Sequence, residues 1–343
     1  MPPEPTTGIA LCGSGRITMV HALAAAALPD LRVTAVASRH PAHAAERAAQ
    51  LGAVACTYDD LPGRADLVVV ATPPARHAAD ALQAMTGGAA VLVEKPLCTT
   101  LADADRLVAA AEAGGRLVYG ENLVHAPVVR AAVGRARTLG PLTYVECRAL
   151  QGRPDWGDFT TAGWGGGVLF DLGVHPLAIA LLLAGDDRLV AVRADLRREA
   201  DVEVDTHADV WLHFASGLTA HVEASWEDDA MVWDLQASSA TGVVRADLAP
   251  AVGLEHDGEP VALPPARAGV DVPQVDQFGF VDQLAHALAV AGGEPVTCGA
   301  AFGRVVLEVV CAAYASAGSA GGEVALPFTG PRDATPLRLW RAG

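Results

Sequence analysis

Short apolar runs alternate with amphipathic segments over the first ~120 residues, and this rhythm limits the fold more than any other feature. The runs are GIALC (8–12), LRVTAVA (31–37), AVACT (53–57), DLVVVAT (66–72), AAVLVE (89–94) and RLVYG (116–120). Helix-like segments such as 42–51 and 75–85 separate them. Strands that alternate with helices indicate βαβ units around a parallel sheet, and wholly apolar strands indicate burial of both sheet faces.

The rhythm changes after residue ~125, where strands of a different kind follow two helical stretches. Residues 206–214 and 218–226 each alternate apolar and polar side chains, and Ala215–Ser216–Gly217 joins them. This pattern predicts an antiparallel hairpin in a sheet with one buried face. The predicted helices lie near 126–138, 171–184, 279–291 and 300–317. Residues 250–274 are rich in proline and glycine, which predicts a loop with at most one short hairpin.

Length and pattern together predict an α/β chain of two domains. Residues 1–123 are expected to form a doubly wound parallel sheet, and residues 124–343 a second α/β domain with a largely antiparallel sheet. The 24 basic residues against 40 acidic ones give a net charge of −16, which argues against a nucleic-acid or anionic-membrane surface.

Cellular location and cysteine chemistry are also constrained. The N-terminus lacks the basic and apolar regions of a secretion signal, and no apolar run reaches a membrane-spanning length. The six cysteines contain no CxxC pair. We therefore expect reduced, packed thiols in a cytoplasmic protein and no metal site.

A glycine-rich turn follows the first predicted strand. In it, Gly13-x-Gly15-x-x-Thr18 opens a predicted helix. Gly13 permits a tight turn, and Gly15 allows a pyrophosphate to approach backbone N–H groups at the helix N-terminus. The third position is threonine where dinucleotide-binding turns have glycine or alanine. The position of the turn in a βαβ series nevertheless favours dinucleotide binding over a plain strand–turn–helix connection.

The end of the second strand distinguishes NAD from NADP. An acidic residue there binds the adenosine ribose of NAD, whereas Ser38 and Arg39 stand there in this chain. A hydroxyl and a guanidinium suit a 2′-phosphate, so we expect NADP(H) to be preferred over NAD(H). The alternative is that Arg39 is one more surface arginine.

Lys95 is the only lysine among the 24 basic residues, and it follows the fifth predicted strand. Ligands bind at the carboxyl edge of such sheets. A lysine ammonium is a compact charge whose pKa falls on desolvation, unlike the planar guanidinium. Lys95 is therefore a candidate catalytic residue, although one remaining lysine could occur there by chance.

Asp171 and His175 form a second candidate constellation. If a helix begins near Asp171, the i, i+4 spacing brings both side chains to one face. A carboxylate can orient an imidazole, and histidine moves protons near neutral pH. The competing interpretations are a helix N-cap for Asp171 and a hydrogen-bonded core histidine for His175.

Further candidates for a substrate pocket are polar or aromatic, a combination that suits a sugar. They are His125, Arg153, Asp155, Trp156 and Trp164. A surface loop with packed tryptophans explains residues 150–166 equally well.

Several of these motifs resemble the Gfo/Idh/MocA oxidoreductases. The resemblance rests on Gly13-x-Gly15 with Arg16 and His21, ATPPARHAADAL (71–82), Glu94-Lys95-Pro96, GENL (120–123) and GGGVLFDLGVH (165–175), and it extends to GEVALPF (322–328). It implies a Rossmann domain followed by an α/β domain whose large open sheet mediates a homodimer or homotetramer. It also implies catalytic roles for Lys95, Asp171 and His175. The cofactor-binding residues that we expect are Gly13, Ser14, Gly15, Arg16, Ile17, Ser38, Arg39, Thr72, Pro73, His77, Glu94, Lys95 and Asn122.

The function expected from the sequence is NADP(H)-dependent hydride transfer to or from a secondary alcohol or ketone of a sugar, cyclitol or sugar derivative. Lys95, Asp171 and His175 would also contact the substrate. Two alternatives remain open. One is an enzyme acting on a non-sugar, such as a trans-dihydrodiol or an imine, and the other is a non-catalytic NADP(H)-binding regulatory protein.

Overall fold

The computed structural model describes residues 7–29 and 31–342. The first six residues, on which part of the secretion-signal argument rests, lie outside the described residues. The strands are β1 Thr7–Cys12, β2 Leu31–Ala37, β3 Val54–Cys56, β4 Leu67–Val70, β5 Ala90–Glu94, β6 Leu117–Gly120, β7 Leu142–Gly152, β8 Leu189–Arg197, β9 His207–Phe214, β10 Thr219–Ser225, β11 Glu227–Ser239, β12 Val243–Ala249, β13 Gly253–His256, β14 Glu259–Pro260 and β15 Val324–Ala325. The helices are α1 Arg16–Ala26, α2 Pro41–Leu51, α3 Pro74–Thr86, α4 Leu101–Glu112, α5 Pro127–Ala136, α6 Val168–Asp171, α7 Val174–Ala184, α8 Pro273–Gln277, α9 Phe280–Ala291, α10 Ala300–Gly318 and α11 Pro336–Ala342.

The first six strands form a parallel sheet in the order β3-β2-β1-β4-β5-β6. This is the order of a Rossmann fold, in which two βαβ halves diverge from the central strands. Strands β4 and β5 are buried at every position, as their apolar sequences predict. The predicted doubly wound sheet is confirmed.

The chain returns to this sheet late in the sequence. Val281, Leu284 and Ala287 of α9 are fully buried in one cluster with Ile9 and Leu11 of β1. Burial of an aliphatic side chain contributes about 1.5–3 kcal/mol, so this helix is an integral part of the first core.

The other nine strands form a second sheet in the order β14-β13-β12-β11-β7-β10-β9-β8-β15. All its pairings are antiparallel except that between β10 and β7. The predicted hairpin of β9 and β10 is confirmed. Its apolar side chains Ala208, Val210, Ala220 and Val222 are fully buried. Helices α5 and α7 pack on this sheet.

The described chain divides into two compact units. The first comprises residues up to 98, 102–125 and 266–304, and the second comprises 99–101, 126–265 and 305 onward. The expected boundary at 123/124 lies close to the change at 125/126, but the sequence did not indicate the return of residues 266–304. That return depends on the tertiary packing of α9, which periodicity does not reveal.

None of the six cysteines, all of which lie in the described ranges, forms a disulfide, and five of them are buried. Burial raises the pKa of Cys311 to about 12. Among the described residues, α10 is the one unbroken helix long and apolar enough to cross a membrane, but 67% of its most apolar window is buried within the protein. Helix α10 is therefore explained as a core helix.

Candidate functional site

The glycine turn connects β1 to α1 in the first unit. Gly13 has φ +131°, and a Cβ there would stand 2.4 Å from the carbonyl oxygen of Ala71 at the end of β4. Only glycine fits this close approach. Gly15 is the N-cap of α1, and nothing lies within 4 Å of the position that its Cβ would occupy. Open space therefore faces the positive end of an 11-residue helix, which fits a dinucleotide pyrophosphate.

Thr18 departs from the usual pattern without disturbing the turn. Its side chain is fully buried, and its hydroxyl donates a hydrogen bond to the Gly15 carbonyl oxygen at 2.5 Å. The buried hydroxyl is thereby satisfied inside the first helical turn, so a threonine is compatible with this position.

The end of β2 is tied to the glycine turn by hydrogen bonds. The hydroxyls of Ser14 and Ser38 lie 2.9 Å apart, and Arg47 donates to the Ser14 carbonyl oxygen at 3.2 Å. Arg39 is exposed, 3.4 Å from a ring nitrogen of His40. The structure thus brings the predicted Ser38 and Arg39 to the edge that carries the turn, and it adds Arg47, which the sequence analysis missed. Arg47 lies on α2, where a basic residue among many arginines gives no signal.

The segment after β4 is fixed from two directions. The Thr72 hydroxyl donates to Asp80 at 2.7 Å, and Pro73 precedes α3. The two ring nitrogens of His77 lie 2.8 Å from the Pro96 oxygen and 2.7 Å from the Thr72 oxygen. Burial lowers the pKa of His77 despite these two hydrogen bonds. His77 therefore links the ends of β4 and β5.

Lys95 lies directly after β5, as predicted, and is half-buried. The Lys95 N–H donates to the Glu94 carboxylate at 3.1 Å, and the Lys95–Pro96 peptide bond is cis. Although burial alone would raise the pKa of Glu94, the hydrogen bond and charge of His21 hold it below its usual value. Glu94 is one of the residues expected to bind the cofactor. Its observed contacts are with His21 and the Lys95 backbone.

Two further predicted residues lie in the same unit. Asn122 uses its side-chain amide to donate to the Phe278 oxygen at 2.7 Å. His125 is buried with its ring centroid 5.4 Å from that of His286.

Asp171 and His175 occupy the second unit, on two helices rather than one. Asp171 is the last residue of α6, and His175 is the second residue of α7, whose N-cap is Gly173. The axes of the helical segments before and after this break differ by 46°. The expectation that one helix begins near Asp171 is therefore wrong, as is the N-cap interpretation. The break precedes Pro176, which has no N–H to donate to the Leu172 oxygen, so that the His175 N–H donates there instead at 3.2 Å.

His175 is buried, and its ring centroid lies 5.7 Å from that of Trp233 on β11. Trp233 is not among the site residues predicted from the sequence. A tryptophan in an alternating strand carries no motif, and the contact depends on how α7 packs against the sheet. Trp233 thus joins the residues that set the surroundings of the imidazole.

The loop that follows β7 contains an aromatic cluster. The Phe159 ring lies 4.6 Å from both Trp156 and Trp164. Phe159 was not predicted, although it completes the cluster. Arg153 pairs with Glu199 at 3.0 Å and with Asp201 at 3.1 Å, and Asp155 is exposed.

A histidine–carboxylate network lies on the polar face of the second sheet. Asp209 accepts from His207 at 3.0 Å and from His221 at 2.9 Å. These bonds hold the pKa of Asp209 well below its usual value, and the bond to Asp209 raises the pKa of His221. His207, Asp209 and Glu223 offer potential ligand atoms within 4.8 Å of one another, the one such group in the described part of the chain. The hydrogen bond between His207 and Asp209 accounts for their close approach without an ion.

Two family profiles match consecutive parts of this sequence. The profile described as "Oxidoreductase family, NAD-binding Rossmann fold" (GFO_IDH_MocA) matches residues 7–121. The profile described as "GFO/IDH/MocA C-terminal domain" matches residues 130–234.

Individual proteins are similar over most of the chain. The "Putative UDP-kanosamine synthase oxidoreductase subunit" of Amycolatopsis mediterranei (strain S699) is 30% identical over 76% of this chain and 81% of its own length. The dTDP-3,4-didehydro-2,6-dideoxy-alpha-D-glucose 3-reductase of Streptomyces antibioticus is 33% identical over 66% of this chain and 71% of its own. Among solved structures, GenD2 from gentamicin A biosynthesis, in complex with NAD, superposes with a TM-score of 0.81 at 28% identity. The superposition covers 93% of this chain and 96% of GenD2.

Proposed function

This chain belongs to the GFO/IDH/MocA oxidoreductase family and is an oxidoreductase with an NAD(P)-binding Rossmann fold, and on that premise we propose that it transfers hydride between NADP(H) and a secondary alcohol or ketone of a sugar, cyclitol or sugar derivative. The observation that carries the nucleotide part is the open space at Gly15, in front of the N-terminus of α1. The substrate class is supported by the sugar-nucleotide names of the relatives from Amycolatopsis and Streptomyces.

The nicotinamide accepts or supplies the hydride when the nucleotide is bound, and the chain supplies the proton chemistry. In our proposal His175 takes the hydroxyl proton during oxidation and returns it during reduction. General acid–base catalysis of this kind typically raises the reaction rate about 10²–10⁴-fold. Asp171 orients the imidazole and stabilises its protonated form. Lys95 donates a hydrogen bond to the reacting oxygen, where one well-aimed donor lowers the barrier by about 3–4 kcal/mol.

The preference for NADP(H) over NAD(H) rests on the basic and hydroxylic end of β2. Ser38, Arg39 and Arg47 offer a hydroxyl and two guanidiniums near the glycine turn. A guanidinium forms bidentate hydrogen bonds with phosphate oxygens, and an acidic residue at Ser38 would repel them. Ser38→Asp should therefore raise the Kd for NADPH at least tenfold and leave that for NADH equal or lower, as measured by fluorescence titration. Equal changes for both nucleotides would contradict the proposed preference.

The substrate contacts that we propose combine His125, Arg153, Asp155, Trp156 and Trp164 with the three catalytic residues. The aromatic cluster supports this assignment, because flat apolar rings beside polar groups suit a sugar ring. Arg153 contributes less in this state, since Glu199 and Asp201 already engage its guanidinium.

We also propose a cytoplasmic homodimer or homotetramer that associates through the polar face of the second sheet. Arg193 stacks over Trp211 at 5.4 Å, and Trp211 stacks on His221 at 5.2 Å. Partly exposed tryptophan and arginine are typical of interface centres. Sedimentation of Trp211→Glu against wild type tests this association.

The enzymatic proposal is tested by turnover of a panel of sugars, nucleotide-linked sugars, cyclitols and trans-dihydrodiols, followed by nicotinamide absorbance. His175→Gln should lower kcat at least 100-fold on the accepted substrate, with nucleotide binding unchanged. Lys95→Arg keeps the charge and changes its shape, and should also lower kcat. His213→Gln, which alters a half-exposed histidine of β9, is the matched control. Turnover of dihydrodiols alone would support the non-sugar alternative, and nucleotide binding without any turnover would support the regulatory one.

A further inference from the structure

Asp205 is a fully buried acidic residue that no motif in the sequence singled out. It lies between β8 and β9, in the second unit, directly before the strand that begins at His207. A buried carboxylate is costly unless it is hydrogen-bonded on all sides, so its presence requires an explanation.

The carboxylate of Asp205 accepts hydrogen bonds from the backbone at the start of the segment that carries Asp171. The Gly167 N–H donates to Oδ1 and the Leu169 N–H to Oδ2, each at 2.9 Å. The Val168 N–H donates to the Asp205 backbone oxygen, also at 2.9 Å. One residue thereby satisfies three consecutive N–H groups that a helix start leaves without intrahelical partners.

Tyr314 of α10 completes this arrangement from the other side. Its hydroxyl donates to Asp205 Oδ1 at 2.5 Å and accepts from the Gly167 N–H at 2.9 Å. The ring is fully buried. Asp205 and Tyr314 together therefore clamp the backbone at Gly167.

The contacts of the clamp explain why Gly166 and Gly167 stand directly before α6. A Cβ at Gly167 would stand 2.1 Å from the Asp205 backbone oxygen, and one at Gly166 would stand 2.8 Å from the Tyr314 hydroxyl. Backbone at both positions must approach the clamp more closely than any side chain allows.

The clamp is connected to both proposed catalytic residues through short backbone hydrogen bonds. The Asp171 N–H donates to the Gly167 oxygen at 2.9 Å, and the Leu172 N–H donates to the Val168 oxygen at 2.8 Å. The His175 N–H donates in turn to the Leu172 oxygen at 3.2 Å. A shift of Gly167 or Val168 is therefore transmitted to Asp171 and His175 within two turns of chain.

We propose that Asp205 is a positioning residue, which, with Tyr314, fixes α6 and the start of α7 so that Asp171 and His175 hold their catalytic geometry. This inference rests on the proposed function of those two residues. A misplacement of about 1 Å in a reacting group can cost on the order of 10²-fold in rate, so the loss should fall on kcat.

Asp205→Asn is the primary test. An amide keeps the size of the carboxylate, but its NH₂ group would face the N–H of either Gly167 or Leu169, so that two donors would oppose each other. We expect kcat to fall about 10–100-fold, while the Kd for NADPH, whose proposed site belongs to the other unit, changes less than about twofold. Asp186→Asn, at an exposed aspartate beyond α7, is the matched control and should leave kcat unchanged.

A double-mutant cycle separates positioning from general destabilisation. If Asp205 acts through His175, Asp205→Asn should lower kcat little further in a His175→Gln background. The reason is that the rate losses of residues that act together in catalysis are not additive. The same 10–100-fold loss in both backgrounds would show a merely structural role and overturn the proposal. If His175→Gln alone leaves kcat intact, the proposed function falls and this inference with it.

Tyr314→Phe tests the clamp should Asp205→Asn not fold. It removes the hydroxyl but keeps the carboxylate and both of its N–H donors. We expect a smaller loss of kcat, about 2–10-fold, that also disappears in the His175→Gln background. An unchanged kcat in folded Asp205→Asn or, where that variant does not fold, an unchanged kcat in folded Tyr314→Phe would refute the inference, whereas His175→Gln would still report on the proposed function.

Discussion

The Nε2 atom of His21 lies 2.7 Å from the Oε1 atom of Glu94, in the buried interior of the first unit. Helix α1 therefore reaches from the glycine turn to the residue that precedes Lys95. The other carboxylate oxygen of Glu94 accepts the Lys95 N–H. The proposed nucleotide turn and the proposed catalytic lysine are thus held by one buried pair.

Breaking this pair should destabilise the protein strongly. His21→Leu leaves the buried Glu94 carboxylate without its histidine partner, and removal of one member of a buried pair costs about 3–5 kcal/mol. Because the pKa of Glu94 is lowered in the folded protein, its contribution is present above the unfolded pKa of about 4.3 and is lost as pH falls through the folded value. Urea unfolding of wild type and variant at neutral pH and near pH 4 measures both effects. The double variant His21→Leu/Glu94→Leu should recover much of the loss.

The network around Asp209 should make stability depend on pH through His221. The pKa of His221 is raised by Asp209, so its contribution is complete below the unfolded pKa of about 6.5 and is lost as pH rises through the folded value. The difference in Tm between wild type and His221→Gln should therefore be largest near pH 6 and shrink toward alkaline pH. His213→Gln, on the neighbouring strand β9, is the matched control. A difference that stays constant with pH would mean that folding does not raise the pKa of His221.

Much of the fold could be predicted because its signals are local. The apolar strands of the parallel sheet and the alternation in β9 and β10 each follow from burial of one or two faces. The break before α7 could have been anticipated from Gly173 and Pro176, although the uniformly apolar residues 174–184 show no period that would place the start of the helix. The return of α9 to the first core depends on packing against β1, about 270 residues earlier in the sequence.

The site was predictable where a residue type or spacing is unusual. Lys95 was found because it is the only lysine, and Asp171 and His175 because of their spacing. Trp233 and Asp205 were missed, since their partners come from distant parts of the chain. In the sequence, an aspartate just before an alternating strand looks like any surface aspartate. Only the structure shows the three N–H groups that donate to Asp205.

Trp233 offers a test of how the imidazole is supported. Its ring packs beside His175, and aromatic pairs of this kind contribute about 0.5–1.5 kcal/mol. Trp233→Ala should lower kcat/KM about tenfold, whereas Trp233→Phe, which keeps an aromatic ring, should stay within about threefold of wild type. Steady-state kinetics with the accepted substrate measures both. Equal losses in the two variants would show that an aromatic ring at this position is not enough to support His175.

The two glycines of the nucleotide turn should respond differently to the same substitution. Gly13→Ala meets the Ala71 oxygen at 2.4 Å and requires φ +131°, so it should lower stability by about 1–3 kcal/mol and also abolish nucleotide binding. Gly15→Ala meets nothing within 4 Å and has φ −70°, so the free protein should keep its Tm. The added methyl group would nevertheless occupy the space proposed for the pyrophosphate and should weaken NADPH binding at least tenfold. Thermal unfolding without nucleotide and titration with NADPH separate the two effects. Unaltered affinity in Gly15→Ala would mean that the nucleotide does not approach this turn, whatever the stability of the variant.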